Sequence, residues 1–382
     1  MVGFRTLEDM GDVRGKRVLV RSELNTPIEK GVVSDTYRIE KAVPTLKWLS
    51  ERGARVIVMA HLGRNPSDSL KPVYEVLSTL IPHAQFVADV VGEEAQSAVM
   101  GLEDGEVLLL ENLRSCAGEN DNNPEFAKTL ASYADYYVDD AFGNAHRAHA
   151  SMVGVPALIP GFAGLCMEQE LVELQKGLNP ESPALFILGG AKFETKEALL
   201  ESILPRYDTV YIGGALANDF LKAQGLEVGQ SLVSENAEKA GALLVSGKLM
   251  FPKDVLVKNK NGIETKRVEN VGTEDSIVDI GPESITELSE RIQDAKCILW
   301  NGPMGLFEEG FIESTKLIVE RIAHSEAHSI VGGGDTVAAI RELKLEDKMG
   351  FLSTGGGAML DYLVDGKLPG VEALEASPEL KV

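Results

Sequence analysis

At 382 residues the chain is longer than a single hydrophobic core usually grows, which predicts two domains. With 44% hydrophobic and 25% charged residues, its composition is that of a globular protein and excludes a disordered chain. The formal net charge of −22 argues against nucleic acid or an anionic membrane as a partner, because both attract basic surfaces. Widely spaced cysteines, the lack of a membrane-spanning apolar run and a start unlike a signal peptide predict a cytoplasmic protein.

In the first half, short apolar segments predict strands, and each is followed by a loop that carries cations. Residues 16–20 lead into Arg21, and residues 35–50 follow with the apolar spacing of a crossover helix, which Pro44 should kink. The next strands and their exit loops continue the pattern: 55–60 into 61–64, 107–110 into 111–114, and 136–138 into 139–147. Alternating strands and helices predict a parallel sheet, whose ligands bind beyond the carboxyl ends of the strands.

The cations of this half are expected to converge at one edge of that sheet. They are Arg21, Arg38, Arg64, Arg114 and Arg147, with His61, His146 and His149. Guanidinium groups bind carboxylate and phosphate oxygens bidentately, so the set predicts an anion pocket in an acidic protein. For any one arginine alone, a solvated surface charge or an ion pair is the alternative. The spacing of His146 and His149 does not match a zinc-protease pattern, and no nucleophile elbow supports hydrolysis.

A helix predicted over 165–178 separates the two halves of the chain. Its apolar residues form a stripe among acidic ones, and the prolines within 179–183 end it. This is the expected linker, either as a hinge or as a rigid strut.

In the second half, the predicted strands end in glycine instead of arginine. Residues 184–188 lead into Gly189-Gly190-Ala191-Lys192, and Lys196 follows on a predicted helix. Later strands end likewise: 210–212 in 213–215, 297–300 in 301–308, 330–331 in 332–336, and 351–354 in 355–357. Glycines let backbone N–H groups approach an anion, and a helix start adds partial positive charge. These runs match neither a P-loop nor a dinucleotide fingerprint, which disfavours an NAD-dependent dehydrogenase.

The run Gly332-Gly333-Gly334-Asp335-Thr336 is the strongest phosphate-binding candidate. A carboxylate there would repel a phosphate unless a cation stood between them, so Asp335 predicts Mg²⁺ and a nucleotide. A tight strand-to-helix turn with an N-cap aspartate is the alternative. Together the two halves predict a two-substrate phosphotransferase, in which side-chain cations hold a small charged substrate and backbone N–H groups with lysines hold a nucleotide.

A series of short strings occurs along the chain in order: Arg21-x-x-x-Asn25-x-Pro27, Tyr37-Arg38-Ile39, His61-Leu62-Gly63-Arg64, Glu111-Asn112-Leu113-Arg114, Asp140-Ala141-Phe142-Gly143, His146-Arg147-Ala148-His149, Gly189-Gly190-Ala191-Lys192, Trp300-Asn301-Gly302-Pro303, 332–336 and 353–358. With them the chain resembles the phosphoglycerate kinase family over nearly its whole length. The resemblance implies an α/β fold of two doubly wound, Rossmann-like parallel-sheet domains joined by a helix and hinge, with the C-terminal segment returning to the N-terminal domain. We therefore expect a 3-phosphoglycerate-binding domain at 1–163 with the tail 364–382, a hinge at 164–180, and a nucleotide-binding domain at 181–363.

The same resemblance implies reversible, Mg²⁺-dependent phosphoryl transfer between 1,3-bisphosphoglycerate and ADP, giving 3-phosphoglycerate and ATP in glycolysis. The implied glycerate ligands are Arg21, Glu23, Asn25, Arg38, His61, Arg64, Arg114 and Arg147. The implied nucleotide ligands are Lys192, Lys196, Gly213, Gly214, Asn301, Glu308 at the ribose, Gly333, Gly334, Asp335 at the metal, and Thr336. Arg38, Lys192 and Lys196 would neutralise the phosphoryl group during direct in-line transfer, while domain closure excludes water. A monomer with only these small-molecule partners is expected.

Several residues depart from the family's pattern. Glu23 stands where the family usually has Asp, Asn65 where a Pro is usual, and Ala215 where a third glycine is common. Between the two lysines, Phe193-Glu194-Thr195 replaces a small-hydrophobic, Ser/Ala, Asp sequence. The competing hypothesis is therefore a catalytically impaired nucleotide-binding protein on the same scaffold, with an interaction or regulatory role.

Overall fold

Two parallel six-stranded sheets carry the fold, one in each of two units of the chain. The computed structural model describes residues 3–380, without the side chain of Glu238. The first unit runs to Leu171 and takes up the chain again from Lys367, and the second unit comprises Val172–Gly366. Among the helices of the described residues, none is both long and apolar enough to cross a membrane.

The first unit alternates strands with helices, as predicted. Its strands are β1 (Arg17–Ser22), β2 (Ile28–Glu29), β3 (Val32–Val33), β4 (Arg55–Met59), β5 (Ala84–Phe86), β6 (Val107–Leu109), β7 (Tyr136–Asp140) and β8 (Gly161–Ala163). Its first helices are α1 (Tyr37–Glu51), α2 (Lys71–Leu80), α3 (Glu93–Gly101), α4 (Ala117–Asn120) and α5 (Pro124–Ala131). β2 and β3 form an antiparallel hairpin, whereas the other strands form one parallel sheet in the order β5-β6-β4-β1-β7-β8. Val18, Leu19 and Val20 of β1 are fully buried, as expected where helices cover both faces of a parallel sheet.

The direction of winding reverses between β1 and β7. The chain passes from β1 to β4 and β6 on one side and later to β7 and β8 on the other. In doubly wound sheets, ligands bind beyond the carboxyl ends of the strands at such a switch point. The register places Arg21 opposite Asp139 and Ser22 opposite Asp140. The predicted strand 136–138 is too short, because β7 continues through both aspartates, which are buried in the sheet instead of lying in its exit loop.

The predicted helix between the halves is α6 (Leu165–Leu178), and the boundary between the units falls within it. Buried side chains accept hydrogen bonds from its first turn. Thr45 Oγ1 accepts from the first N–H of the helix at 3.0 Å, and Asp140 Oδ1 accepts from the N–H of Cys166 at 2.9 Å. Side-chain acceptors satisfy the N–H groups that open a helix, which explains why α6 begins at this point.

The second unit repeats the architecture with different strand ends. Its strands are β9 (Ala184–Leu188), β10 (Thr209–Ile212), β11 (Leu249–Met250), β12 (Asp254–Asn259), β13 (Gly262–Arg267), β14 (Ser276–Ile280), β15 (Cys297–Asn301), β16 (His328–Gly332) and β17 (Phe351–Leu352). Its helices after α6 are α7 (Glu197–Ile203), α8 (Leu216–Ala223), α9 (Ala240–Leu243), α10 (Pro282–Asp294), α11 (Glu313–Ala323), α12 (Gly334–Glu342) and α13 (Gly357–Asp365). The parallel sheet has the order β11-β10-β9-β15-β16-β17, so the winding reverses between β9 and β15.

A second, antiparallel sheet of the order β13-β12-β14 lies in the same unit and was not predicted. Val255 and Val257 of β12 are buried with Ile277 of β14 in a small apolar cluster, whereas β13 is largely exposed. β13 is exposed and charged and has no continuous apolar run, so no apolar pattern marked it as a strand.

The C-terminal segment packs on the first unit. Helix α14 (Pro369–Glu375) lies there, and the Gly370 N–H donates to the Ala145 carbonyl at 2.8 Å. Close by in sequence, the hydroxyl of Ser377 accepts a hydrogen bond from Arg5 Nη2 at 2.6 Å. The predicted fold class, two parallel-sheet α/β domains with a returning C-terminal segment, is confirmed.

Candidate active site

In the first unit, the carboxyl ends of the strands bring the predicted cations together. His61 follows β4, Arg114 follows β6, and Arg147 lies beyond β7. Burial lowers the pKa of His61 to about 2, and the charges of Arg21, Arg114 and Arg147 act in the same direction. His61 is therefore a neutral imidazole at physiological pH, chiefly because it is buried and secondly because cations surround it.

Arg114 lies in the same electrostatic field. Burial lowers its pKa, as do the charges of Arg147, Arg21 and Arg64, whereas Glu119 opposes them. Arg114 Nε is buried and has no hydrogen-bond partner in the part of the chain that the structure describes. A buried guanidinium N–H without a partner is costly, so it favours an anionic ligand. The cation cluster that the structure brings together consists of Arg21, His61, Arg64, Arg114, Arg147 and His149.

Arg38, Asn25 and Glu23 form a neighbouring part of the first unit's site. Arg38 of α1 donates to the Asn25 carbonyl and forms an ion pair with Glu23 across 3.8 Å. Asn25 Oδ1 accepts from the Gly63 N–H at 2.9 Å, which joins the loop after β1 to the loop after β4. Asn25, Gly63 and Arg38 line an open cleft. Glu23 also accepts a hydrogen bond from Asn144, so its longer side chain is held in place rather than projecting freely.

Asn112 positions two of these loops, and the sequence analysis noted it only as part of a string. Its side chain is fully buried between β6 and Arg114. Asn112 Oδ1 accepts from the N–H of Leu62 at 3.0 Å and from the N–H of Arg114 at 3.1 Å. Asn112 Nδ2 donates back to the Leu62 carbonyl at 3.0 Å. An amide at the end of a buried strand, directly before a predicted ligand, is the signal that could have found it.

In the second unit, glycines at four neighbouring strand ends pack against one another, and we call them the glycine ridge. They are Gly214, Gly190, Gly302 and Gly333, after β10, β9, β15 and β16, with φ angles of 61°, 81°, 90° and 98°. A Cβ on Gly214 would lie 2.6 Å from Gly190 N, and one on Gly302 would lie 2.7 Å from the carbonyl carbon of Gly189. Glycine alone tolerates both the positive φ and the close approach. The backbone is thus the surface that these strand ends present.

The predicted phosphate-binding loop is the last member of the glycine ridge. Helix α12 begins directly after Gly333, so its N-terminal N–H groups lie beside that residue. Thr336 is fully buried, and within residues 3–380 nothing hydrogen-bonds to its hydroxyl. Desolvation raises the pKa of Asp335, and the charge of Glu308 raises it further. A buried hydroxyl and a carboxylate at a helix start suit a ligand that combines phosphate with a cation.

Lys192 and Lys196 flank the short 3-10 turn Phe193–Thr195. Lys192 has a φ of 67°, a left-handed conformation that costs a non-glycine residue on the order of 1 kcal/mol. Lys196 precedes α7 instead of lying on it, and burial lowers its pKa. The Phe193 N–H donates to the Ser234 hydroxyl at 2.9 Å, which anchors the turn between the two lysines.

An enclosed pocket adjoins the glycine ridge. Its walls include Ala215, Met304 and, from the unpredicted antiparallel sheet, Val255 and Ile277. Asn218 also lines it, and its Oδ1 is buried with no hydrogen-bond partner in the described chain. The cavity is only about 10 Å³, room for about one water molecule, so in this structure it does not admit a heteroaromatic ring.

Asn301 and Gly213 are predicted nucleotide ligands that the fold largely encloses. Asn301 is buried, and its Nδ2 lies 3.6 Å from the position a Cβ would take on Gly333. Gly213 has no room for a side chain, because a Cβ would lie 2.5 Å from the sulfur of Met304. Both residues shape the strand ends, and a direct contact with a nucleotide stays a prediction.

The residues around Asp335 fit Mg²⁺ held together with a nucleotide. In the described residues, no group of three or more His, Cys, Asp or Glu side chains is placed to hold a metal ion. Mg²⁺ does not require such a group, because one or two carboxylates and the substrate phosphates commonly hold it. Asp335, at the start of α12, is a carboxylate of that kind.

Known proteins share this architecture along nearly the whole chain. The family model described as phosphoglycerate kinase matches residues 7–367. Proteins named phosphoglycerate kinase from Methylorubrum populi and Dictyoglomus turgidum are each 44% identical to the chain, with matches covering 98% and 95% of this chain and 100% and 96% of theirs. Solved structures of phosphoglycerate kinase from Coxiella burnetii and Pyrococcus horikoshii superpose with TM-scores of 0.86 and 0.88 at 36% and 32% identity, and each match covers 97% of this chain and 98% of the other.

Proposed function

The chain belongs to the phosphoglycerate kinase family, and we propose from this premise how its residues carry out the reaction. The enzyme transfers a phosphoryl group reversibly between 1,3-bisphosphoglycerate and ADP, giving 3-phosphoglycerate and ATP. One observation supports the division of roles. Each unit has a switch point at its strand ends, with cations at the first and the glycine ridge at the second.

The glycerate substrate binds to the first unit. Arg64, Arg114 and Arg147 hold its anionic groups, and the buried, unpartnered Nε of Arg114 supports this role. His61 adds a neutral hydrogen bond, while Asn25 and Glu23 face the substrate from the loop after β1. Arg21 is fully buried and donates to protein groups, so it acts through its neighbours and not by touching substrate.

The nucleotide binds to the second unit. Its base lies near Ala215, beside the glycine ridge, and Glu308 accepts the ribose hydroxyls, as in the family that the chain belongs to. Its phosphates lie against Gly333, Gly334 and Thr336, where N–H groups and a free hydroxyl are available. Asp335 holds Mg²⁺, which when bound neutralises part of the phosphate charge.

Transfer is direct and in line, without a covalent enzyme intermediate. Arg38, Lys192 and Lys196 neutralise the negative charge that spreads over the moving phosphoryl oxygens. Exclusion of water on domain closure prevents hydrolysis of the acyl phosphate. We also propose that the enzyme is a cytoplasmic monomer, in keeping with the glycolytic reaction that it catalyses.

A coupled assay with 3-phosphoglycerate and ATP tests the proposal against the impaired-binder alternative. We expect turnover that requires Mg²⁺ and stops when the metal is chelated. Folded protein that binds ATP and has no turnover would favour the binder. In that case Glu23→Asp is the decisive variant, because recovery of activity would identify the displaced carboxylate as the cause.

A further inference from the structure

A buried chain of hydrogen bonds leads from α4 to His61 in the first unit. Glu119 of α4 accepts from the Ser151 hydroxyl at 2.6 Å and from the Ser151 N–H at 2.9 Å. The same hydroxyl accepts from Arg21 Nε at 2.9 Å, and Arg21 Nη2 lies 3.2 Å from His61 Nδ1. Glu119 is 1% exposed, and Ser151 and Arg21 are 0% exposed. These interactions connect α4, the turn at Ala150–Gly154, β1 and the loop after β4.

The donors and acceptors in this chain permit a single arrangement of protons. Arginine has five N–H donors and no acceptor, so His61 Nδ1 must accept from Arg21 and carries no proton. The proton of the neutral ring is then on Nε2. Because Ser151 Oγ receives the Nε–H of Arg21, it donates its own proton to Glu119, which can only accept as a carboxylate.

We propose that Glu119 and Ser151 are positioning residues, which hold Arg21 so that His61 is fixed as the Nε2–H tautomer and donates to the acid substrate. The inference deepens the proposed function and rests on it in one respect, the placement of that substrate at His61. Arg21 is also tied to the Ser22 carbonyl at 2.7 Å, so the guanidinium is held from three directions. The Tyr137 hydroxyl donates to the Ser151 carbonyl at 2.8 Å and fixes the serine backbone.

The neutral Nε2–H tautomer of His61 suits its position among guanidinium groups. A fixed neutral donor adds a directed hydrogen bond without adding another positive charge beside Arg114 and Arg147. Glu119 supplies the negative charge that a buried Arg21 needs, and it also lies 3.8 Å from His149 Nδ1. Asp139 and Glu23 are the other carboxylates whose charges act in this region.

The tautomer of His61 can be measured directly on the full-length protein. Two-bond ¹H–¹⁵N spectra of histidine rings distinguish a protonated from an unprotonated nitrogen, and a His61→Gln spectrum identifies the signals among the six histidines. We expect the ligand-free enzyme to have Nδ1 unprotonated and Nε2 protonated from pH 5 to pH 8. A proton on Nδ1 in the wild-type enzyme would overturn the proposal.

Ser151→Ala tests the positioning role. It leaves Arg21 Nε without its acceptor and Glu119 Oε1 without its hydroxyl donor, while the backbone N–H of residue 151 still donates to Glu119. We therefore expect a mixture of His61 tautomers and a KM for 3-phosphoglycerate about tenfold higher, the factor for one lost buried hydrogen bond. The KM for ATP should not change. Wild-type His61 signals in this variant, with an unchanged KM for 3-phosphoglycerate, would refute the role.

Ser377→Ala is the matched control, because its hydroxyl also accepts from an arginine, Arg5, at 2.6 Å in the same unit. We expect it to lower stability without moving the His61 signals or either KM.

If Ser151→Ala does not fold, Glu119→Gln is the second variant. It keeps the shape of the side chain, removes its charge, and turns an amide NH₂ group toward one of the two Ser151 donors. Glu119→Gln should then shift the His61 signals, and wild-type signals would count against the proposal.

Adding 3-phosphoglycerate separates the two parts of the inference. We expect it to move the Nε2 signals of His61. If Ser151→Ala changes the tautomer but 3-phosphoglycerate leaves His61 undisturbed, the hydrogen-bond chain stands and the placement of the acid substrate is wrong.

Discussion

The two parallel sheets have the same winding and differ in what their central strands carry. Where the winding reverses, β1 and β7 set Arg21 opposite Asp139, whereas β9 and β15 set Ile187 opposite Trp300. The first unit therefore carries charge into its buried sheet. In the second, β9 is apolar throughout and β15 is apolar up to Asn301, its last residue, and the backbone of the glycine ridge follows.

This difference shows two physical ways to bind an anion on one architecture. Side-chain cations provide strong, directed charge, but each buried charge needs partners such as Glu119 behind it. Backbone N–H groups carry no net charge and need no counter-ion, but they require glycine where strands meet closely. The first solution suits a small acid, and the second suits a polyphosphate that a metal ion has already partly neutralised.

If side-chain cations bind the anion in the first unit, removing one of them should lower kcat far more than it lowers the free energy of unfolding. We expect Arg38→Ala to lower kcat about a thousandfold, because the group acts on charge that develops in the transition state. Its ion pair with Glu23 is partly exposed, so the free energy of unfolding should fall by less than ~1 kcal/mol. Steady-state kinetics and urea unfolding measure both quantities.

Lys41→Ala is the control for Arg38→Ala, because it removes an exposed cation from the same helix. It should leave kcat within about twofold of the wild-type value, as expected for a surface change. An Arg38→Ala enzyme with wild-type kcat would mean that the first unit binds substrate without taking part in transfer.

In the second unit, substituting a glycine of the glycine ridge should lower stability more than it lowers the reaction rate. Gly302→Ala would force a Cβ to within 2.7 Å of the Gly189 backbone, and we expect it to cost about 3 kcal/mol of unfolding free energy. Gly225→Ala is matched to it, since Gly225 has a φ of 81° but open space around its Cβ position. It should cost only about 1 kcal/mol. Equal losses in the two variants would show that φ alone, and not close packing, makes the ridge require glycine.

The sequence predicted the sheets because buried parallel strands leave a local pattern. Residues 184–188 are an uninterrupted apolar run, and β9 has those bounds. The cation cluster was likewise predictable, since strand ends of a parallel sheet share one edge. In the unpredicted antiparallel sheet, β13 left no such pattern, because its exposed residues resemble a loop.

The supporting residues of the site could not be predicted, because their partners are distant in the chain. Ser151 is 32 residues from Glu119 and 130 residues from Arg21, so no local spacing marks the link. Asp139 and Asp140 were placed in a loop because charged residues are rarely buried. Only the fold shows that β7 carries them into the sheet.

Those two aspartates lead to the smallest predicted effect, a difference between the units in how stability depends on pH. Burial raises the pKa of Asp139 and of Asp140 to about 7. Between the unfolded value of 3.8 and about 7, the native state keeps protons that the unfolded state loses. Their contribution to stability is therefore largest at low pH and falls as pH rises, by at most about 1.4 kcal/mol per pH unit for each group.

Asp140→Asn isolates this contribution, because the amide oxygen can still accept from the first turn of α6. We expect the free energy of unfolding to fall less steeply from pH 5 to pH 7 than in the wild-type protein. In the second unit burial raises the pKa of Asp279 only to about 6, so Asp279→Asn should flatten the profile only below that pH. Urea unfolding at half-unit pH steps distinguishes the two. If both variants flattened the stability profile over the same pH range, the two units would not differ in how strongly they bury carboxyl groups. The contrast between the two sheets would then be confined to the residues at their strand ends.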